Sequence, residues 1–274
     1  MKDRTLQLLT IASLFLAAGV VLAQDATPPA PPNVLVIQRE YLKPGMAGSI
    51  HVRSEGNFVR AETDAKAPTH YIAMDSMSGP TRALFVFGFD SFEAYGKDQE
   101  SLNGNPTLAA AIDQAALTDG QLLSRYDIQT FVYHPEMSQH TGIDASHQRY
   151  WEFTSYRIKP GHEKEWNDLV KIYVDGFASM PDRHWAAYES RYGEDNGGVW
   201  VVITPMRTLA ELDQGMIAGK TFMTAQGADG MKHIEDLAAD CILSSQSNLF
   251  AVNAKESYVD PTWATTAPEI YGQP

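Results

Sequence analysis

Cysteine is almost missing from this chain of 274 residues: Cys241 is the only one. A single thiol excludes internal disulfides and leaves the fold to rest on its core. Cys241 lies in the apolar run Leu237 to Leu243, and it reads as a buried, inert thiol, because a reactive one needs an electropositive and accessible setting. Basic residues are scarce too. Lys and Arg total 21 against 34 Asp and Glu, a net charge of −13. So acidic a surface repels phosphate backbones, which argues against nucleic acid and anionic membranes as partners; solubility is its ordinary explanation. The chain also lacks a Gly-rich phosphate loop, a nucleophile elbow and a nucleotide fingerprint. His134, His140 and His147 cluster between the two halves described below, but without short ligand spacing, so no metal ligand is assigned. No cofactor is expected.

Long apolar runs are confined to the N-terminus, which reads as a secretory signal. Lys2 and Arg4 supply the positive region, Leu6 to Val21 the apolar core, and Val21-Leu22-Ala23 a cleavage site before Gln24. The run is short for a membrane span, which takes roughly 20 apolar residues; the alternative is an uncleaved anchor. Cleavage implies a periplasmic or secreted protein with no membrane attachment, since no cysteine near the site could carry a lipid. Losing Lys2, Asp3 and Arg4 removes two positive charges and one negative, which moves the net charge from −13 to −14. Residues 24–32, with four prolines between Asp25 and Pro32, read as a stiff extended tether.

What is present is a repeat. Tyr41-Leu42-Lys43-Pro44-Gly45 returns as Arg157-Ile158-Lys159-Pro160-Gly161. His70-Tyr71 returns as His184-Trp185, and Asp75-Ser76 as Glu189-Ser190. Leu117 to Ser124 returns as Leu237 to Ser244. Echoes in one order at a nearly constant offset mark a duplicated unit. Its first copy covers residues 33–136 and its second 149–257, joined by a linker at 137–148 and followed by a tail at 258–274.

Each copy parses alike. Strands at Val34 to Leu42 and Tyr150 to Ile158 stop at Lys-Pro-Gly. A helix follows, about Ala47 to Ala61 in the first copy; in the second, Trp166, Leu169, Val170, Tyr173, Val174 and Phe177 form an apolar stripe. Two strands joined by a turn come next, His70 to Ser76 with Ala83 to Phe89, and His184 to Arg191 with Val199 to Thr204. A second helix, about Pro106 to Leu117 and Gly230 to Ala239, leads to a last strand, near Ile128 to Tyr133 and Asn248 to Val252. The order βαββαβ is the ferredoxin-like unit, so the fold class is α+β. A sheet covered by helices on one face needs a partner on the other, and the second copy supplies it.

The two units and their strand-Lys-Pro-Gly-helix phrase resemble the dimeric α+β barrel superfamily, here as a fused tandem repeat packed sheet to sheet into an intramolecular barrel. That superfamily includes antibiotic-biosynthesis monooxygenase-like, NIPSNAP-like and EthD-like proteins, haem-degrading enzymes and stress-responsive barrel proteins; the style is closest to the first two. The haem-degrading branch uses an Asn, a Trp and a His that have no matching motif here, so none of its residues is carried over.

Candidate residues follow from the repeat. His70 shares a strand face with Ile72 and Met74, and His184 with Ala186 and Tyr188. A histidine facing an apolar wall is suited to act as a general base, so both are the catalytic candidates; the alternative is a strand-end histidine bonded to backbone. Asp75 and Glu189 form a second repeated pair, suited to share a proton or simply to sit solvated beside turns. Tyr41, Tyr71, Tyr156, Trp185 and Tyr188 are the candidates for lining a mostly apolar pocket. The aromatic-rich second half is expected to be packed shut and the first half open. The tail, with Trp263, Ile270 and Tyr271, is expected to wrap across the other repeat. Together these readings describe an exported barrel that binds a small apolar or aromatic molecule, and by resemblance an oxygenase-like or proton-transfer enzyme. The rival is a non-enzymatic barrel for protein contacts or stress response. Homo-oligomer formation is left open.

Overall fold

The computed structural model describes residues 30–193 and 198–272; the signal read in residues 1–23 and most of the tether fall outside them. Each Lys-Pro-Gly phrase ends a strand in the same way. β1 (Val34–Leu42) and β5 (Tyr150–Ile158) are nine residues each, and Gly45 and Gly161 both take φ of 83°, a left-handed backbone that a Cβ disfavours. Both lysines then reach the third echo. The Lys43 ammonium donates to the Gln121 carbonyl at 2.7 Å, and that of Lys159 to Ala239 at 2.6 Å. Those carbonyls lie at the ends of α3 (Pro106–Asp119) and α5 (Ala210–Cys241), where the helix dipole favours a cation. The repeated residues mark a repeated joint.

In the first half β4 (Leu123–Tyr133), β1, β3 (Arg82–Phe89) and β2 (Tyr71–Ser76) lie side by side. In the second, β8 (Ile242–Val252), β5, β7 (Val199–Met206) and β6 (Ala186–Tyr192) take the same order. β2 pairs with β8 and β4 with β6, all antiparallel, which closes an eight-stranded barrel. The protein is α+β, a fused pair of ferredoxin-like units, as the repeat implied. Leu35, Ile37, Met74, Leu84, Phe131, Phe153, Tyr188, Val201, Ile203 and Phe250 fill the barrel. Outside it, α1 (Ser49–Ala65) packs with α3, and α4 (Glu163–Phe177) with α5. No described helix is long and apolar enough to cross a membrane.

Two helical stretches differ from expectation. α2 (Phe92–Asn103) was unforeseen; it fully buries none of its residues and touches the core only through Ala94 and Tyr95 beside Phe89, so its apolar stripe is too slight to read. α5 begins at Ala210 rather than near Gly230; Gly215 and Gly219 weaken its helical signal, but Phe222 stacks on Phe177 and Tyr173. The helix is broken at Gly227. β4 and β8 also start earlier than expected, through exposed polar residues.

β2 meets β8 only over Met74–Ser76, and the chain after β8 covers the rest of that edge. The Tyr71 N–H donates to the Tyr258 carbonyl at 2.7 Å, and the Asn253 N–H to Ala73 at 2.9 Å. The Ala73 N–H donates to Ser257 Oγ at 2.9 Å. The other seam is sealed by residues following β4: the His134 N–H donates to the Ala187 carbonyl at 2.9 Å, and the Ala187 N–H to Ser138 Oγ at 2.9 Å. The segments after β4 and β8 are thus a fourth echo, with Ser257 standing where Ser138 stands and Glu256 where Met137 stands. The tail wraps the first repeat as expected, and its last turns, α6 (Trp263–Thr266) and α7 (Pro268–Tyr271), bury Ile270 and Tyr271.

Candidate functional site

His70 and His184 line a single cavity of about 450 Å³ at one end of the barrel. Strand alternation sets their surroundings: Ile72 and Val86 from the first half, Trp151, Phe153, Ala186, Tyr188 and Ile203 from the second. Ala30–Pro32, the end of the expected tether, and Val259, Asp260 and Trp263 of the tail complete the wall. Size and lining suit a small apolar molecule. His184 Nε2 lies 2.6 Å from the Pro205 carbonyl. A carbonyl only accepts, so Nε2 is the nitrogen that donates, which leaves Nδ1 as the other ring nitrogen to meet a ligand. The His70 ring stands 4.8 Å from that of Tyr258.

Tyr71, Trp185 and Tyr188 also border this cavity. The Tyr188 hydroxyl donates to the Pro32 carbonyl at 3.2 Å, and the Trp185 indole N–H to Met137 at 2.9 Å. Tyr41 and Tyr156 are not brought there. Tyr41 lies far along β1, its ring 5.1 Å from the Arg125 guanidinium and 5.6 Å from that of Arg82. Tyr156 faces outward beneath α4, 5.1 Å from Trp166, and burial pushes its hydroxyl up to about 12. The acidic pair does not converge on one site: Asp75 accepts from Asn253 at 2.8 Å in one seam, while Glu189 faces His134 and Arg191 in the other. His134 is held by Glu136 at 2.7 Å and His147 by Asp144 at 2.9 Å, and the metal-suited groupings among the described residues include neither.

A second site, unforeseen, lies under the helices of the first half. α1 turns His51, Ser54 and Glu55 toward the sheet, where they meet Glu40 of β1, Asp119 at the end of α3 and Glu256 of the segment after β8. All five titratable groups are buried: His51 and Glu256 are 0 % exposed, and Glu40, the most open, 6 %. His51 Nδ1 is 3.0 Å from Glu256 Oε1 and Nε2 is 3.1 Å from Glu40 Oε2. Nε2 also lies 3.8 Å from Glu55 Oε1 and 3.9 Å from Asp119 Oδ1. Burial opposes the imidazolium, yet its bonds to Glu256 and Glu40 and the charge of Glu55 raise its pKa to about 11. Burial, then the charges of Glu40 and Asp119, push Glu55 up to about 10; burial also raises Glu40 and Glu256.

Glu40, Glu55 and Asp119 border a cavity of about 490 Å³ between sheet and helices, which Glu62, Tyr71, Phe85 and Phe87 also line. In the second half the corresponding layer is filled by Trp166, Leu169, Trp200, Phe222 and Leu237, with Tyr156 against them. The first half is open and the second packed, as its aromatic content suggested. The sequence did hold a signal for the missed cluster: His51 and Glu55 stand one helical turn apart, and Glu40 takes the place that Tyr156 holds in the second copy.

No protein-family model matches the chain, and no curated protein matches it. Solved structures do. A candidate monooxygenase from Lactobacillus acidophilus is 12% identical with a TM-score of 0.50, over 82% of this chain and 94% of its own. One from Fusobacterium nucleatum is 13% identical with a TM-score of 0.52, over 81% and 93%. An anthrone oxidase-like protein is 10% identical with a TM-score of 0.52, over 83% and 94%. Identities this low speak for the fold alone: the chain has the α+β barrel fold of the monooxygenase-like proteins it resembled in sequence.

Proposed function

We propose that the cavity at the His70 and His184 end of the barrel binds a small apolar or aromatic molecule, and that one of these histidines takes a proton from it in an oxygenase-like or proton-transfer reaction. The observation that carries this reading is convergence. Two histidines equivalent under the repeat line one apolar cavity of about 450 Å³, and the bond from His184 Nε2 to Pro205 leaves Nδ1 as the nitrogen to meet a ligand proton. The fold shared with candidate monooxygenases and an anthrone oxidase-like protein is consistent with it. In the proposed step a C–H or O–H proton of the ligand passes to the imidazole, and the electron pair stays on the ligand as an enolate or phenolate. The signal read in residues 1–23 would place this activity outside the cytoplasm.

The test is binding of a neutral aromatic probe, N-phenyl-1-naphthylamine, to the purified protein, with native mass spectrometry for retained molecules. One saturable site is expected, with Ala186→Trp weakening the probe at least about tenfold, as a filled pocket must. His70→Ala with His184→Ala should abolish turnover of a retained ligand and leave the melting temperature nearly unchanged. Full activity in the double variant would reduce both histidines to strand-end packing, the scaffold reading.

A further inference from the structure

The buried cluster beneath α1 belongs to a different layer from the barrel cavity and calls for a different ligand. Four carboxyl groups face one imidazole there. Several of their lone pairs are idle. On side chains at most 3 % exposed, Glu55 Oε1, Asp119 Oδ1 and Glu256 Oε2 are buried with no donor from the backbone or a basic side chain. Only a proton between Glu55 and Asp119, or a bound cation, would pair the first two. An unmet buried acceptor costs about 1–3 kcal/mol, more when charged, and three in one cluster need a reason.

We propose that Glu40, Glu55, Asp119 and His51 Nε2 bind one divalent first-row transition cation, with Glu256 holding His51 from behind. One donor atom from each of the four lies within 4.8 Å of every other. Ligand atoms at about 2.1 Å from a cation stand roughly 3 to 4.2 Å apart, so shifts of under about 1 Å close the shell. The unmet oxygens Glu55 Oε1 and Asp119 Oδ1 are the two nearest to Nε2 after Glu40. Glu256 on Nδ1 supplies the carboxylate–imidazole pairing that orients a metal-binding histidine. Three carboxylates with one imidazole and no thiolate suit Mn²⁺, Fe²⁺ or Zn²⁺ better than Ca²⁺ or a soft cation. The neighbouring cavity, with Glu40, Glu55 and Asp119 in its wall, gives the ion a path in and leaves it reachable by a small molecule.

Protein stripped with EDTA and titrated separately with Mn²⁺, Co²⁺ and Zn²⁺ tests this. Expected are one ion per chain by elemental analysis after desalting, a raised melting temperature, and an imidazole nitrogen coupling in the pulsed electron spin resonance of the Mn²⁺ form. Glu55→Gln and Asp119→Asn keep the shape of each side chain and should weaken binding more than about 100-fold. Glu256→Gln, which acts through His51, should weaken it about 10-fold. Circular dichroism checks that each variant folds, and the nitrogen coupling is read on the unaltered protein. A wild-type melting temperature unmoved by all three ions at millimolar concentration would mean that protons alone fill the cluster, and would overturn the proposal. So would binding that survives in both Glu55→Gln and Asp119→Asn, or a Mn²⁺ spectrum without nitrogen coupling.

Discussion

The two halves share a backbone plan and differ in what lies between sheet and helices. Position seven of the first strand is Glu40 in one and Tyr156 in the other. The buried residues of the following helix are His51, Ser54 and Glu55 in the first, and Trp166 and Leu169 in the second. The sealing segment contributes Glu256 to the first layer and Met137 to the second. One layer is therefore a dry aromatic core that stabilises its half by burial. The other gives up apolar burial for a polar cluster, which is expensive in stability unless it serves a purpose. Duplication kept the joints and let the interiors part, so the departures from the repeat are where function is best sought.

The comparison breaks most sharply at Trp166, which is 4 % exposed among Tyr156 and Trp200. Trp166→Ala should cost about 3–5 kcal/mol in urea unfolding; a loss below about 1 kcal/mol would mean that packing does not hold the second half. On the other side, Glu62 is pushed up to about 7 by burial, against the hydrogen bond from Tyr71. Its folded pKa lies above the unfolded 4.5, so the folded state is the tighter proton binder. Stability from this group is intact below about pH 4.5 and falls as pH rises through 7. Glu62→Gln should therefore raise stability by up to about 3 kcal/mol at pH 8 and much less at pH 5, read from melting curves at both. Equal gains at both pH values would place the Glu62 carboxyl in water. The smallest effects test likeness rather than difference. Ser138→Ala and Ser257→Ala each strand a buried N–H, of Ala187 and Ala73, and should cost a similar 1–2 kcal/mol or so. Costs that differ by more than about 1 kcal/mol would undo the equivalence of the segments after β4 and β8.

Much of the fold was legible because the repeat exposed it. Lys43-Pro44-Gly45 and its copy fixed where strands end, and the doubled βαββαβ order led to the barrel. α2 was not legible, since a helix that rests on the core through only Ala94 and Tyr95 writes a faint period into its sequence. The first part of α5 was hidden by Gly215 and Gly219, which tertiary contacts of Phe222 override. At the site level the repeat pointed to His70 and His184, which the closed barrel then brings to one cavity. Tyr41 and Tyr156 were misplaced because repetition says nothing about which end of a strand meets the cavity or which way it faces. The buried cluster escaped because Glu40, His51, Glu55, Asp119 and Glu256 are spread along the chain and none of them is repeated.

The tail's place on the edge of β2 has a consequence for how the protein is made. The first repeat is synthesised early, but β2 receives its neighbour β8 and the strip Asn253–Tyr258 only once the second repeat has been made. His51 likewise gains Glu256 only then. A chain ended before residue 250 leaves β2 with an unpaired edge and the polar cluster short of one wall. Closure of this seam thus waits on a segment 184 residues downstream of Ala73, so the first repeat is finished only by the second.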